Sequence, residues 1–236
     1  MQKILVSICL LLQVFLSFAQ TESSLKAGEK AYQEEDYGRA IKYFTKAASE
    51  EPDNPRVPYL TGRVYLDMNN YRQAAAFLEK AIAMDTSRNN WMFELALIYS
   101  AVPDYKKSLQ YFLLAGEHGY KKTSTYLENV GYAYNNVGQY ANGLEYLQQV
   151  LEKKPSDPEL LYQVAQTYYN LKKYQEAIDH WDQVLSINKE NAEALYMIGV
   201  CYQKKGEKQK GQQLCDRAIE MDPSLASKRR RMGGEF

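Results

Sequence analysis

Histidine is nearly missing from this chain and cysteine almost as scarce: two histidines, His118 and His180, and three cysteines stand among 236 residues. Neither histidine has a companion at i+4, so no HExxH zinc pair exists. There is no Cys-x-x-Cys, and Cys201 and Cys215 lack metal-ligand spacing. No GxSxG nucleophile elbow occurs. The nearest thing to a phosphate loop, "GEKQKG" at 206–211, is followed by Gln212 rather than Lys. Proline and glycine are few, which excludes a disordered composition. Net charge is missing as well: 29 basic residues balance 29 acidic ones, so no broad nucleic-acid footprint is expected. These absences predict a non-catalytic protein with no metal, no cofactor and no small-molecule substrate.

Long apolar runs are also absent beyond the first twenty residues. Those read "MQKILVSICLLLQVFLSFAQ", with Lys3, then an apolar stretch from Ile4 to Leu16, then Ser17 and Ala19 at small-residue cleavage positions. The stretch is shorter than the roughly 20 residues that span a bilayer. It predicts a signal peptide over 1–19, cut after Ala19, with an uncleaved anchor as the alternative. Cys9 lies inside the apolar run and follows Ile8, which argues against lipid modification. Export, with a bacterial-type leader, places the mature protein in the periplasm; an extracellular or anchored protein is the other reading. Export also leaves Cys201 and Cys215 with two fates, a disulfide or buried core thiols.

What is abundant is self-similarity. Small residues recur at Gly28, Gly62, Ala96, Gly131, Ala165 and Gly199, in steps of 34 except for one of 35. Tyrosines follow the same steps at Tyr37, Tyr71, Tyr105, Tyr140 and Tyr174, with Lys208 in sixth place. Two further small or aliphatic positions repeat as Ala40, Ala74, Ser108, Gly143, Ala177, Gly211 and as Ala47, Ala81, Ala115, Val150, Val184, Ala218. Each unit reads as two helices, A then B, around a polar turn such as "NNVGQY". In the fifth unit Ala177, Ile178, Trp181, Val184 and Leu185 make an apolar stripe on helix B, and Leu161, Val164, Ala165 and Tyr168 do so on helix A. One hairpin cannot bury both stripes, so the units must stack.

This pattern resembles the tetratricopeptide repeat (TPR) family. The resemblance covers 21–225, in units 21–54, 55–88, 89–123, 124–157, 158–191 and 192–225, followed by a basic tail at 226–236. It implies an all-α, right-handed α-solenoid of about six helix-turn-helix repeats. The third unit departs from the pattern: "AGEHGYKKT" carries an extra residue and lacks a closing proline, so a looser junction is expected there. The sixth has Lys208, Gln212 and Cys215 where other units are apolar, as an end cap would. The tail, with Lys228 and Arg229 to Arg231, either contacts an acidic partner or lipid surface or forms a short capping helix.

Family resemblance also implies that A helices line a concave face that binds protein or peptide. The groove-facing positions carry Arg56, Tyr59, Arg63, Asn90, Phe93, Asn129, Tyr132, Asn135, Tyr162, Gln163, Gln166, Tyr169, Tyr196 and Gln203. Aromatics give area at low entropy cost and amides can pair with peptide backbone; the same rings could instead pack between neighbouring A helices. The Lys and Asn of a chaperone-type carboxylate clamp are missing: the fifth position reads Leu25, Tyr59, Phe93, Glu128, Tyr162, Tyr196, and the ninth Glu29, Arg63, Leu97, Tyr132, Gln166, Val200. The expected role is an interaction scaffold in the cell envelope. A self-assembling component, or a non-catalytic subunit of an envelope enzyme, are the alternatives. One local signal conflicts with the register: Asn142-Gly143 is a hairpin dipeptide, yet Gly143 falls inside a predicted helix B. Gly143→Ala should then be neutral or stabilising, unless two backbones lie too close for a methyl group.

Overall fold

The helices are set by a repeated grammar of caps. Ser23, Asp36, Asn70, Thr123, Asp157 and Asn191 each accept a hydrogen bond from a backbone N–H three residues on, as N-cap side chains do. A computed structural model describes residues 23–232, and among these there are thirteen α-helices, one short 3-10 turn and no strand. They are α1 (Ser24–Gln33), α2 (Tyr37–Glu50), α3 (Arg56–Asp67), α4 (Tyr71–Met84), α5 (Asn89–Ala101), α6 (Tyr105–Glu117), α7 (Ser124–Asn136), α8 (Tyr140–Leu151), α9 (Pro158–Asn170), α10 (Tyr174–Ile187), α11 (Ala192–Lys204), α12 (Lys208–Met221) and α13 (Ala226–Met232). The predicted signal peptide lies outside the described residues.

The turn inside each hairpin uses one left-handed residue: Glu35, Asn69, Gly138, Lys172 and Gly206, with φ between 57° and 91°. They keep the repeat spacing. The third hairpin breaks the rule, because its equivalent residue is Pro103, whose ring holds φ negative.

The helices form two units. The first comprises α1–α5 with the segment 117–119, and the second comprises α6–α13. In the first, α1 packs on α2 and α3 on α4, with α5 against α4. In the second, α7/α8, α9/α10 and α11/α12 are hairpins, each stacked on the next.

Of the predicted core positions, Ala40, Ala47, Ala74, Ala81, Ser108, Ala115, Val150, Ala165, Ala177 and Ala218 are fully enclosed, whereas Leu185 at the end of its stripe is only half-buried. So is Trp181, which anchors the fifth repeat.

Asn142-Gly143 is not a turn. Gly143 lies within α8 and the chain reverses at 137–139, where Gly138 has φ 78°. A methyl at Gly143 would lie 2.9 Å from the Gly131 carbonyl oxygen and closer still to Asn135 Oδ1. The two backbones are therefore too close for alanine, and the expected neutrality of Gly143→Ala gives way to the exception. At Gly116 a methyl would collide with the Tyr126 hydroxyl, which donates to the Phe112 carbonyl. That phenol fills the space a larger side chain occupies elsewhere.

Cys201 and Cys215 are free, buried thiols, so the disulfide alternative falls away. The basic tail forms α13, where Lys228 hydrogen-bonds Glu193 and Arg229 reaches Asp216 at 2.5 Å. Leu225 is buried just before it. The capping therefore extends past α12 into α13.

Candidate functional site

Of the predicted groove residues, the first unit brings Tyr59 and Arg63 together. Both lie on α3, four residues apart and so on one face. The Tyr59 ring stacks on Trp91 of α5, with centroids 4.4 Å apart and planes 12° from parallel. Its hydroxyl donates to Glu94 at 3.1 Å and accepts from Arg63 Nη1 at 3.2 Å. Burial raises the Glu94 carboxyl above the usual range, against the opposing pull of Arg63 and of the Tyr59 hydrogen bond. Burial also raises Tyr59. Arg63 Nε is buried without a hydrogen-bond partner.

Beside this network a cleft of about 440 Å³ opens, lined by Arg63, Leu66, Tyr71, Glu94, Leu97 and Ile98. Leu97 is 40% exposed, unusual for a leucine on a helix that otherwise buries its apolar residues. The cleft thus joins exposed hydrocarbon to a guanidinium whose side chain is 37% exposed. Arg56 is spent on Glu29 at 2.5 Å, and Asn90 is exposed at the start of α5.

In the second unit Tyr132, Tyr162, Gln163, Gln166 and Tyr169 are half-buried on α7 and α9. Tyr162 meets Trp181 edge-on at 6.0 Å, and Tyr169 touches both Tyr174 and Trp181. Carboxylates surround these phenols. Burial, then Glu128, Glu159 and Asp157, push Tyr132 up to about 12. Burial, then Glu193 and Glu159, raise Tyr162. Glu128 is paired with Lys154 at 2.8 Å.

Several predicted residues serve packing instead of an open face. Phe93 and Tyr196 are buried, at 8% and 2% exposure, and offer no ring to a ligand. Asn135 Nδ2 donates to Thr167 Oγ1 at 2.7 Å, tying α7 to α9. Asn129 bonds the carbonyl of Thr125 in its own helix, and Gln203 leans on Cys215 Sγ at 3.9 Å.

Glu94, Leu97 and Trp91 carry no signal of their own in the sequence. Glu94 and Leu97 occupy groove-facing positions of the repeat, but neither is an aromatic, an amide or a clamp residue. Trp91 sits at a core position and is buried, and only the structure shows its ring stacked on Tyr59. Among the described residues, no group of three or more His, Cys, Asp or Glu is placed to hold a metal ion.

Comparison with known proteins agrees with this architecture. Models described as "Tetratricopeptide repeat" match residues 31–91 and 192–225, and one described as "TPR repeat" matches 165–206. A model for subunit 3 of the anaphase-promoting complex (cyclosome) matches 112–184. Hsp70-Hsp90 organizing protein 3 of Arabidopsis thaliana is 40% identical over 57 residues. That match takes in 23% of this chain, and the chain spans about a tenth of that protein's length.

Among solved structures, YrrB, described as a TPR protein with an unusual peptide-binding site, superposes with a TM-score of 0.63 at 25% identity. The superposition covers 76% of this chain and 92% of YrrB. MamA (41–end) of Desulfovibrio magneticus RS-1 gives 0.62 at 13% identity, covering 73% and 97%, a likeness of fold.

Proposed function

Because the chain belongs to the tetratricopeptide repeat family, we propose that it is a non-catalytic interaction scaffold whose A helices hold a polypeptide partner. The observation that carries this reading is the cleft between Arg63 and Leu97. It combines exposed apolar surface at Leu97 with the partly exposed guanidinium of Arg63, held in place by its hydrogen bond to the Tyr59 hydroxyl. Aromatic and arginine anchors next to a desolvated pocket are the features that dominate binding energy at protein interfaces. A partly exposed guanidinium suits a backbone carbonyl or a carboxylate of a bound peptide. The half-buried tyrosines of α7 and α9 give the second unit a surface of the same kind. YrrB, with its unusual peptide-binding site, favours the reading by analogy.

The protein acts in the cell envelope, exported by a leader removed after Ala19. Intact-mass analysis of exported protein should find its N-terminus near Gln20; a retained Met1 would mean an anchor.

The binding reading is tested by selecting peptides from a random library on the purified chain and measuring the affinity of the best one. Arg63→Ala and Leu97→Glu should each raise its Kd about tenfold or more, equivalent to about 1.4 kcal/mol, while Gln110→Ala on the exposed side of α6 leaves it unchanged. A Kd unmoved by both groove substitutions would place binding elsewhere.

A further inference from the structure

The first unit contains a second concavity, on the side of the B helices. It is a pit of about 190 Å³ between α2, α3 and α4, walled by Ile41, Phe44, Ala48, Val57, Tyr65 and Phe77. The repeat register explains why it exists. Ala48 occupies the place held by Ile82, Leu151, Leu185 and Ile219 in other hairpins. Gly116, the other small residue at this place, is compensated by the Tyr126 phenol. The residue facing Ala48 is Val57, and nothing larger closes the gap. Ala48 is accordingly exposed, whereas Ile82 is only 6% exposed.

The larger part of the pit's wall is hydrocarbon. Its two threonine hydroxyls are already used: Thr61 Oγ1 donates to the Val57 carbonyl and Thr45 Oγ1 to that of Ile41, both at 2.8 Å, which leaves the Tyr65 phenol as the third hydroxyl of the lining. Tyr65 and Phe77 stack on each other at 5.5 Å and present a flat aromatic wall. Of the other polar groups that line it, Glu51 and Asn54 are bonded to each other at 2.6 Å, and among the described residues Lys80 is the one cation. A buried water needs two to four polar partners, and apolar cavities of about 150 Å³ take up benzene.

We propose that this pit is a binding site for one small uncharged apolar molecule, a single aromatic ring or a branched hydrocarbon of that size. It stands independently of the groove on the A helices, shares no residue with the cleft at Arg63 and Leu97, and survives or fails separately from peptide binding.

The test uses the full chain and fluorobenzene, followed by fluorine NMR. The wild type should show saturable binding at millimolar concentration. Ala48→Leu, which restores the side chain the register expects, should weaken binding at least tenfold and melt no lower than wild type. Val57→Leu, filling the pit from the facing wall, should do the same and decides the matter should Ala48→Leu fail to fold. No saturable binding by the wild type, or unchanged affinity in the folded variants, overturns the proposal. So does failure of both variants to fold, since it would mean the pit has no spare room.

Discussion

At the scale of single residues, the small positions of the repeat are contact points between backbones, and they tolerate no more than is there. In Gly143→Ala the helix gains about 1 kcal/mol of propensity but must displace the Gly131 carbonyl, and overpacking costs about 1–3 kcal/mol. We expect a net loss of up to about 2 kcal/mol, read from the urea midpoint. The left-handed turn residues give the opposite sign. Lys172 holds φ 61°, where an L-residue is strained by about 1 kcal/mol or more. Lys172→Gly relieves that strain while loosening the unfolded chain, so a gain of up to about 1 kcal/mol is expected. Asn69, at φ 57°, should gain less from glycine, since asparagine tolerates this region.

At the scale of the helical element, capping and one titrating group yield separate tests. Asp157 accepts the Leu160 N–H at 3.1 Å at the start of α9. Asp157→Ala should cost about 1 kcal/mol. Glu94 on α5 is held above the usual carboxylate range by burial. The folded protein therefore binds its proton more tightly than the unfolded chain does. This group's contribution is most favourable below the unfolded value and is lost as pH rises through the raised folded value. Glu94→Gln should flatten the urea midpoint as a function of pH above the ordinary glutamate value of about 4.3. A profile identical to wild type would mean that Glu94 does not titrate abnormally.

How much of these elements was legible follows from what periodicity encodes. Burial of Ala177, Ile178, Trp181 and Val184 on α10 was readable, because a helical stripe depends only on spacing. The local hairpin signal at Asn142-Gly143 was overridden correctly by the register. The left-handed place was hidden behind five different sequence contexts, since Glu35, Asn69 and Lys172 share no chemistry with glycine. The cleft at Arg63 was half legible. The repeat predicts which positions face outward, but whether a ring such as Phe93 stays outward depends on the neighbouring helices, and it is buried.

At the scale of the whole molecule, the core is closed to reagents even where it holds reactive atoms. Burial pushes the Cys201 thiol up to about 12 and that of Cys215 up to about 11. At pH 8 both should resist alkylation in the native protein and react on addition of denaturant, about a hundredfold faster. Rapid native labelling would mean that the end of the array near α11 and α12 opens readily. Circular dichroism should show a helical protein in either case.

The pairing of Gly116 with Tyr126 bears on how such a chain can be recombined. At three junctions between hairpins the register pairs residues from different repeats as couples, Ile82 with Trp91, Gly116 with Tyr126 and Leu151 with Leu160, and the Gly116–Tyr126 couple is matched in size, whereas Ala48 and Val57 leave their junction open. Excising residues 124–157 would seat Gly116 beside Leu160 and leave a hole. Excising 89–123 would force Ile82 against Tyr126. The heritable module of this array is thus the interval from one intra-hairpin turn to the next, which carries a matched couple intact, and a library shuffled at Glu35, Asn69, Gly138 and Lys172 should yield more folded chimaeras than one shuffled at the loops between repeats.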